Sequence, residues 1–142
     1  MLGIENWFVL EQIFGETFDL QGELLDNMTV HPLGGSVFLE WIVSKPVLHA
    51  PKRWHTYEKV YISLDLFGVS DTEIHTVSAD HMVYIPFVMR SVHTGPVAEH
   101  LFRLVMESEN GDSFCFVYQS ARIRNVRPVK LDPLTKEYEV TT

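Results

Sequence analysis

Two hydrophobic periods divide this chain. In NWFVLEQIFG (6–15), Trp7, Leu10 and Phe14 recur at helical spacing with Ile13 beside them. This predicts a short helix that Asn6 can cap and Gly15 can end. Residues 16–22 (ETFDLQG) read as a loop. From Leu24 the period becomes two. Leu24–Pro32 and Ser36–Ser44 flank LGG, the glycine turn that a hairpin needs. SVFLEWIVS is apolar on both faces, which predicts a strand in the middle of the sheet or covered by the helix.

A Pro-punctuated connection (45–56) leads to Tyr57–Leu66, where Val60, Ile62, Leu64 and Leu66 alternate with Lys59, Tyr61, Ser63 and Asp65. Further strands are expected near Glu73–Val77, over Met82–Val92 with Pro86 marking an edge or bulge, over Ala98–Glu107, and over Ser113–Arg124. Ala98–Glu107 also fits a helix, but the ESENGD turn after it favours a strand. The expected fold is α+β and mostly β: a short N-terminal helix packed on a curved antiparallel sheet, or on a β-sandwich, of about seven strands. One domain is expected over 1–131, with 132–142 a polar, frayed tail.

Composition narrows the class. The chain has 142 residues, 46% of them hydrophobic and 21% charged, which fits a globular protein and not a disordered one. A single cysteine, Cys115, excludes an internal disulfide. No apolar run approaches the roughly 20 residues of a membrane span. MLGIENWF has no basic n-region of a signal peptide. The expectation is a soluble cytoplasmic protein.

The net charge is −8, and its distribution matters more than its sum. The first 44 residues hold seven acids (Glu5, Glu11, Glu16, Asp19, Glu23, Asp26 and Glu40) and no Lys or Arg. Residues 65–80 add Asp65, Asp71, Glu73 and Asp80, again without one. Phosphate backbones repel such a surface, so nucleic acid is not an expected partner; a basic protein is.

Enzyme chemistry finds little support. The closest histidine pairs, His49/His55, His75/His81 and His93/His100, are too widely spaced for a local metal site, although His75, His81 and Asp80 could meet across strands. Cys115 sits between Phe114 and Phe116 on a strand, the setting of a small buried hydrophobe rather than a nucleophile. There is no G-x-S-x-G elbow and no Gly-rich phosphate loop opening a helix. No cofactor is expected. PKRW (51–54) offers two charges and one ring ahead of a strand, and reads as a structural approach with Trp54 plugging the sheet end, its indole N–H on a loop carbonyl.

Three stretches together are similar to the immunity protein 50 family of bacterial polymorphic-toxin systems. They are Trp7 leading a helical segment to Gly15, PKRW leading into VYISLDLFGVSDTEI (60–74), and SFCFVYQSARIRNVRP (113–128). The resemblance spans roughly 7–128. It implies a small non-catalytic protein that binds and neutralises a cognate toxin domain. The family does not assign contact residues. From charge placement we expect them among Glu16, Asp19, Glu23, Asp26, Asp71, Glu73 and Asp80, with Phe18 as an exposed aromatic anchor. The rival readings are a small-ligand-binding β-domain lined by the aromatics, and a metal-assisted enzyme built on the His75–His81 region. Edge strands also leave self-association open.

Overall fold

The helical repeat folds into one short helix, α1 (Phe8–Phe14), which buries Leu10, Ile13 and Phe14. Gly15 ends it at φ 108°, a backbone conformation that favours glycine. Asn6 does not cap it. Its side chain instead bridges to Ile123, donating to that residue's carbonyl at 2.9 Å and accepting from its N–H at 2.7 Å.

The computed structural model describes residues 1–31, 33–77 and 87–141. The expectation for Pro86, with the start of its strand, lies outside them. The strands are β1 (Leu24–His31), β2 (Ser36–Val43), β3 (Lys59–Phe67), β4 (Asp71–His75), β5 (Phe87–Ala98), β6 (Leu101–Ser108), β7 (Ser113–Tyr118), β8 (Ser120–Leu131) and β9 (Tyr138–Val140). All pair antiparallel in the order β4-β7-β6-β5-β1-β2-β3-β8-β9. The mostly β class is as expected, and the ambiguous segment 98–107 is the strand β6.

Nine strands replace the expected seven for two reasons. The run Ser113–Arg124 breaks at Gln119 into β7 and β8. The segment after Asp132 returns as β9, because Asp132 Oδ1 accepts the Leu134 N–H and its carbonyl accepts the Lys136 N–H.

The break at Gln119 is a corner and not an interruption. The Gln119 N–H donates to the Phe67 carbonyl and the Ser70 N–H to the Val117 carbonyl, both at 3.0 Å. The pairing of β3 with β8 therefore runs on into that of β4 with β7, and the sheet bends back on itself there. The bend encloses one core: Leu39, Trp41, Ile62 and Leu64 from β2 and β3, Leu104, Met106 and Phe116 from β6 and β7, and Leu10 of α1.

Residues 45–58 strap the helix to the sheet. The Leu48 and His49 N–H groups both donate to the Ile13 carbonyl, at 2.9 and 3.0 Å, satisfying a helix-end acceptor. Trp54 then closes one end of the core. It is 7% exposed and meets the Tyr57 ring edge-on, with centroids 5.4 Å apart. The plug was expected, but its hydrogen bond was not found: the indole N–H is buried without an acceptor among the described residues.

Candidate partner-binding surface

One face of β2 and β3 packs into the core, and the other carries polar chemistry. Register sets Phe38 opposite Asp65, Glu40 opposite Ser63 and Ile42 opposite Tyr61. Two β-bulges complete the surface. The pairing shifts between Leu25 and Asn27 in β1, and between the partners of Ser63 and Leu64 in β8, so Asp26 and Arg124 are the extra residues. A bulge puts two consecutive residues on one side. Asp26 thus joins Asn27, and Arg124 joins Asn125, facing away from the core.

The groups on this face hold one another. Arg124 grips Asp65 through two hydrogen bonds of 2.7 Å, and its guanidinium lies 4.7 Å from the Phe38 ring centroid. Glu40 accepts from Ser63 Oγ at 2.8 Å and from Arg127 Nη2 at 3.1 Å. The Tyr61 hydroxyl donates to Asp26 Oδ2 at 3.5 Å. Asp26 differs from its neighbours because no cation among the described residues pairs with it. Partial burial, then the nearby Glu40 charge, pushes its carboxyl above the usual range. Burial and the two carboxylates push the Tyr61 hydroxyl up to about 12. Asp26 lines a recess of about 490 Å³ shared with Tyr61 and, across from them, Glu137 and Tyr138.

The remaining expected contact residues separate into distinct places. Glu16 is exposed in the loop after α1. Asp19 is exposed and pairs with Lys45. Burial opposes its ionisation, but the Lys45 hydrogen bond, the Gln21 N–H and the Lys45 charge outweigh this and hold the carboxyl below its usual value. Asp71 and Glu73 lie on β4, whose five residues are all exposed, with Ile74 beside them 43% exposed. Asp80 lies outside the described residues.

Two of the expected residues are turned inward. Phe18 is 8% exposed, stacked on Phe14 at 4.5 Å and tilted against Trp7 at 5.7 Å, so it is no exposed anchor. Glu23 is 4% exposed, and its Oε2 accepts the Ser44 N–H at 2.8 Å, tying β1 to the end of β2. Sequence reading missed Glu40, Ser63, Asp65, Arg124 and Arg127 as one cluster. The alternation in β3 placed Ser63 and Asp65 on a shared outer face, but only strand register brings the arginines of β8 to them.

Other chemistry is thinly represented. His75 is exposed on β4, while His81 lies outside the described residues; among those described, no three His, Cys, Asp or Glu residues gather to hold a metal. Cys115 is half-buried; burial pushes its thiol up, the Arg103 charge opposes this, and Glu73 and Asp71 on β4 add to the rise, the opposite of a poised nucleophile. Among the described residues no helix is long and apolar enough to cross a membrane.

A bent antiparallel sheet, one helix strapped to it and a self-paired polar face make up a mostly β fold. The family model of Immunity protein 50 matches residues 6–129, and the chain belongs to that family. No curated protein and no solved structure matches it.

Proposed function

We propose that this protein binds and neutralises a cognate bacterial toxin domain in the cytoplasm, through an acidic surface and without catalysis. Membership of the immunity protein 50 family over residues 6–129 is the observation that carries this reading. The placement of acids supports it. Glu16, Asp71 and Glu73 are exposed with no ion-pair partner among the described residues, and Asp26 lines a recess without a cation of its own. Uncompensated carboxylates on a rigid sheet steer a basic partner and reward its lysines and arginines on docking. Ile74, beside Asp71 and Glu73, supplies apolar contact area at the same edge.

The test is calorimetric titration with the toxin domain encoded beside the gene, at low and high salt. One-to-one binding that weakens with salt, and weakens by at least about tenfold in the D71K/E73K variant, is expected. No binding at either salt overturns the reading.

A further inference from the structure

Among the described residues the sheet ends on two edge strands, β4 and β9. β9 is three residues long, and edges that short resist pairing. β4 has five residues, all exposed, and pairs on one side only, with β7. An edge strand keeps a row of backbone N–H and C=O groups on its open side, and another chain can continue the ladder from them.

The two faces of β4 differ in chemistry. Thr72 lies opposite Phe116 and Ile74 opposite Phe114, both core residues, so this side continues the apolar face of the sheet. Ile74, at the rim of that core, is 43% exposed. Beside Thr72 lies a recess of about 290 Å³, lined by Val30, Val37 and Val69. On the other face, Asp71 and Glu73 lie opposite Val117 and Cys115, and neither has an ion-pair partner among the described residues. An added strand would therefore meet apolar contact at one set of alternate positions and negative charge at the other.

Charge decides the occupant. Two copies paired antiparallel about Glu73 would set that carboxylate against its own copy, and a shift of two residues would set Asp71 against Glu73. Like charges directly opposite one another are destabilising. A strand with Lys or Arg at alternate positions meets opposite charges in the same registers.

We propose that the open edge of β4 is a strand-addition site for a basic protein segment that alternates Lys or Arg with apolar residues. Its cations lie over Asp71 and Glu73, and its apolar side chains against Ile74. The identity of the partner rests on the neutralising reading: the segment belongs to the toxin domain. Peptides test the edge without the toxin, so the two readings can fail separately.

Acetyl-Val-Lys-Val-Lys-Val-amide is titrated into the ¹⁵N-labelled full chain. At millimolar peptide the backbone amide signals of residues 71–75 should shift along a saturable curve, with those of α1 unmoved. The glutamate analogue, acetyl-Val-Glu-Val-Glu-Val-amide, should not bind. The D71K/E73K variant should weaken the lysine peptide by at least about tenfold, and Ile74→Ser by about threefold or more, with the amide spectrum otherwise intact.

Backbone methylation separates a ladder from charge attraction alone. One peptide carries N-methyl groups on both lysines, another on all its valines. Successive N–H groups of a strand point to opposite sides, so one set alone can face β4. One of the two peptides should lose at least about fivefold in affinity.

No shift of 71–75 with the lysine peptide overturns the proposal, as does undiminished binding of both methylated peptides. Shifts of 71–75 that depend on protein concentration, in the chain by itself, would assign the edge to a second copy and overturn it too. In the toxin complex, amide exchange at 71–75 should slow. A toxin that binds with this exchange unchanged overturns strand addition and leaves neutralisation standing. Failure of the toxin to bind, with the peptide bound, overturns neutralisation alone.

Discussion

Arg124 and Asp65 form a two-pronged pair, Nε to Oδ2 and Nη2 to Oδ1, both at 2.7 Å, across the β3–β8 ladder. The partners are unequal. The Asp65 side chain is 12% exposed and that of Arg124 53%. Arg124 sits at the β8 bulge, one position past the core residue Ile123 and on the same outer face as Asp65.

That inequality sets the order of two substitutions. Arg124→Ala leaves a nearly buried carboxylate without its cation, whereas Asp65→Ala frees a guanidinium that water can reach. Urea unfolding should show Arg124→Ala as the more costly, by about 1–3 kcal/mol against wild type, with Asp65→Ala nearer 1 kcal/mol after screening of the exposed partner. The reverse order would mean that water solvates the Asp65 carboxylate once its cation is gone, so that its burial does not set the cost.

Asp26 should make stability fall as pH rises. Burial and the Glu40 charge raise its folded pKa above that of an unfolded aspartate, so between the two the folded chain binds more protons than the unfolded chain. Stability is therefore lost on raising the pH through this window, and the penalty persists above it. Asp26→Asn removes the charge and keeps an acceptor for Tyr61. The variant should be more stable than wild type at neutral pH and indistinguishable from it below about pH 3, where the carboxyl is neutral in both states. Unfolding curves at the two pH values give the answer.

Glu23 should matter to folding and not to partner binding. Glu23→Ala deprives the Ser44 N–H of its acceptor at the end of β2 and should cost about 1–3 kcal/mol in chemical unfolding. Toxin affinity of the folded variant should stay within about twofold of wild type, since the side chain offers almost no surface. A tenfold loss of affinity without loss of stability would return Glu23 to the interface.

The corner between β3 and β4 should tolerate change poorly. Gly68 has φ 62°, and a Cβ there would lie 2.7 Å from the Gln119 side chain. Gly22 has φ 82° but open space around it. Gly22→Ala should cost about 1 kcal/mol of backbone strain, and Gly68→Ala more than that, because Gln119 must also move. Thermal melts of the two variants should keep that order.

Legibility followed locality. The helix, the β1–β2 hairpin and β3 could be read because each is a short-range period with its own turn signal. Extending a single strand across 113–124 failed at Gln119, since a corner stabilised by hydrogen bonds to residues 67 and 70 leaves no local mark. The outer-face cluster failed for a related reason. On the core side β1 presents Leu25, Met28 and Val30, and β8 presents Ala121, Ile123 and Val126; each run slips phase by one residue at its bulge. A period-two reading carried through either slip assigns half the strand to the wrong face. Phe18 was misplaced because a lone aromatic among acids looks exposed in one dimension, while Phe14 and Trp7 cover it in three.

By itself the sequence determined the mostly β class, the family and the uneven distribution of charge, all properties of composition and short-range pattern. Tertiary structure alone decided which charges remain unpaired. Lys45 reaches Asp19, Arg124 reaches Asp65 and Arg127 reaches Glu40, each across a separation that only folding closes. Among the described residues, Asp26, Asp71, Glu73 and Arg53 form no ion pair. Coulomb attraction and desolvation depend on distances of a few ångströms, and those distances are fixed by register, bulges and the bend of the sheet.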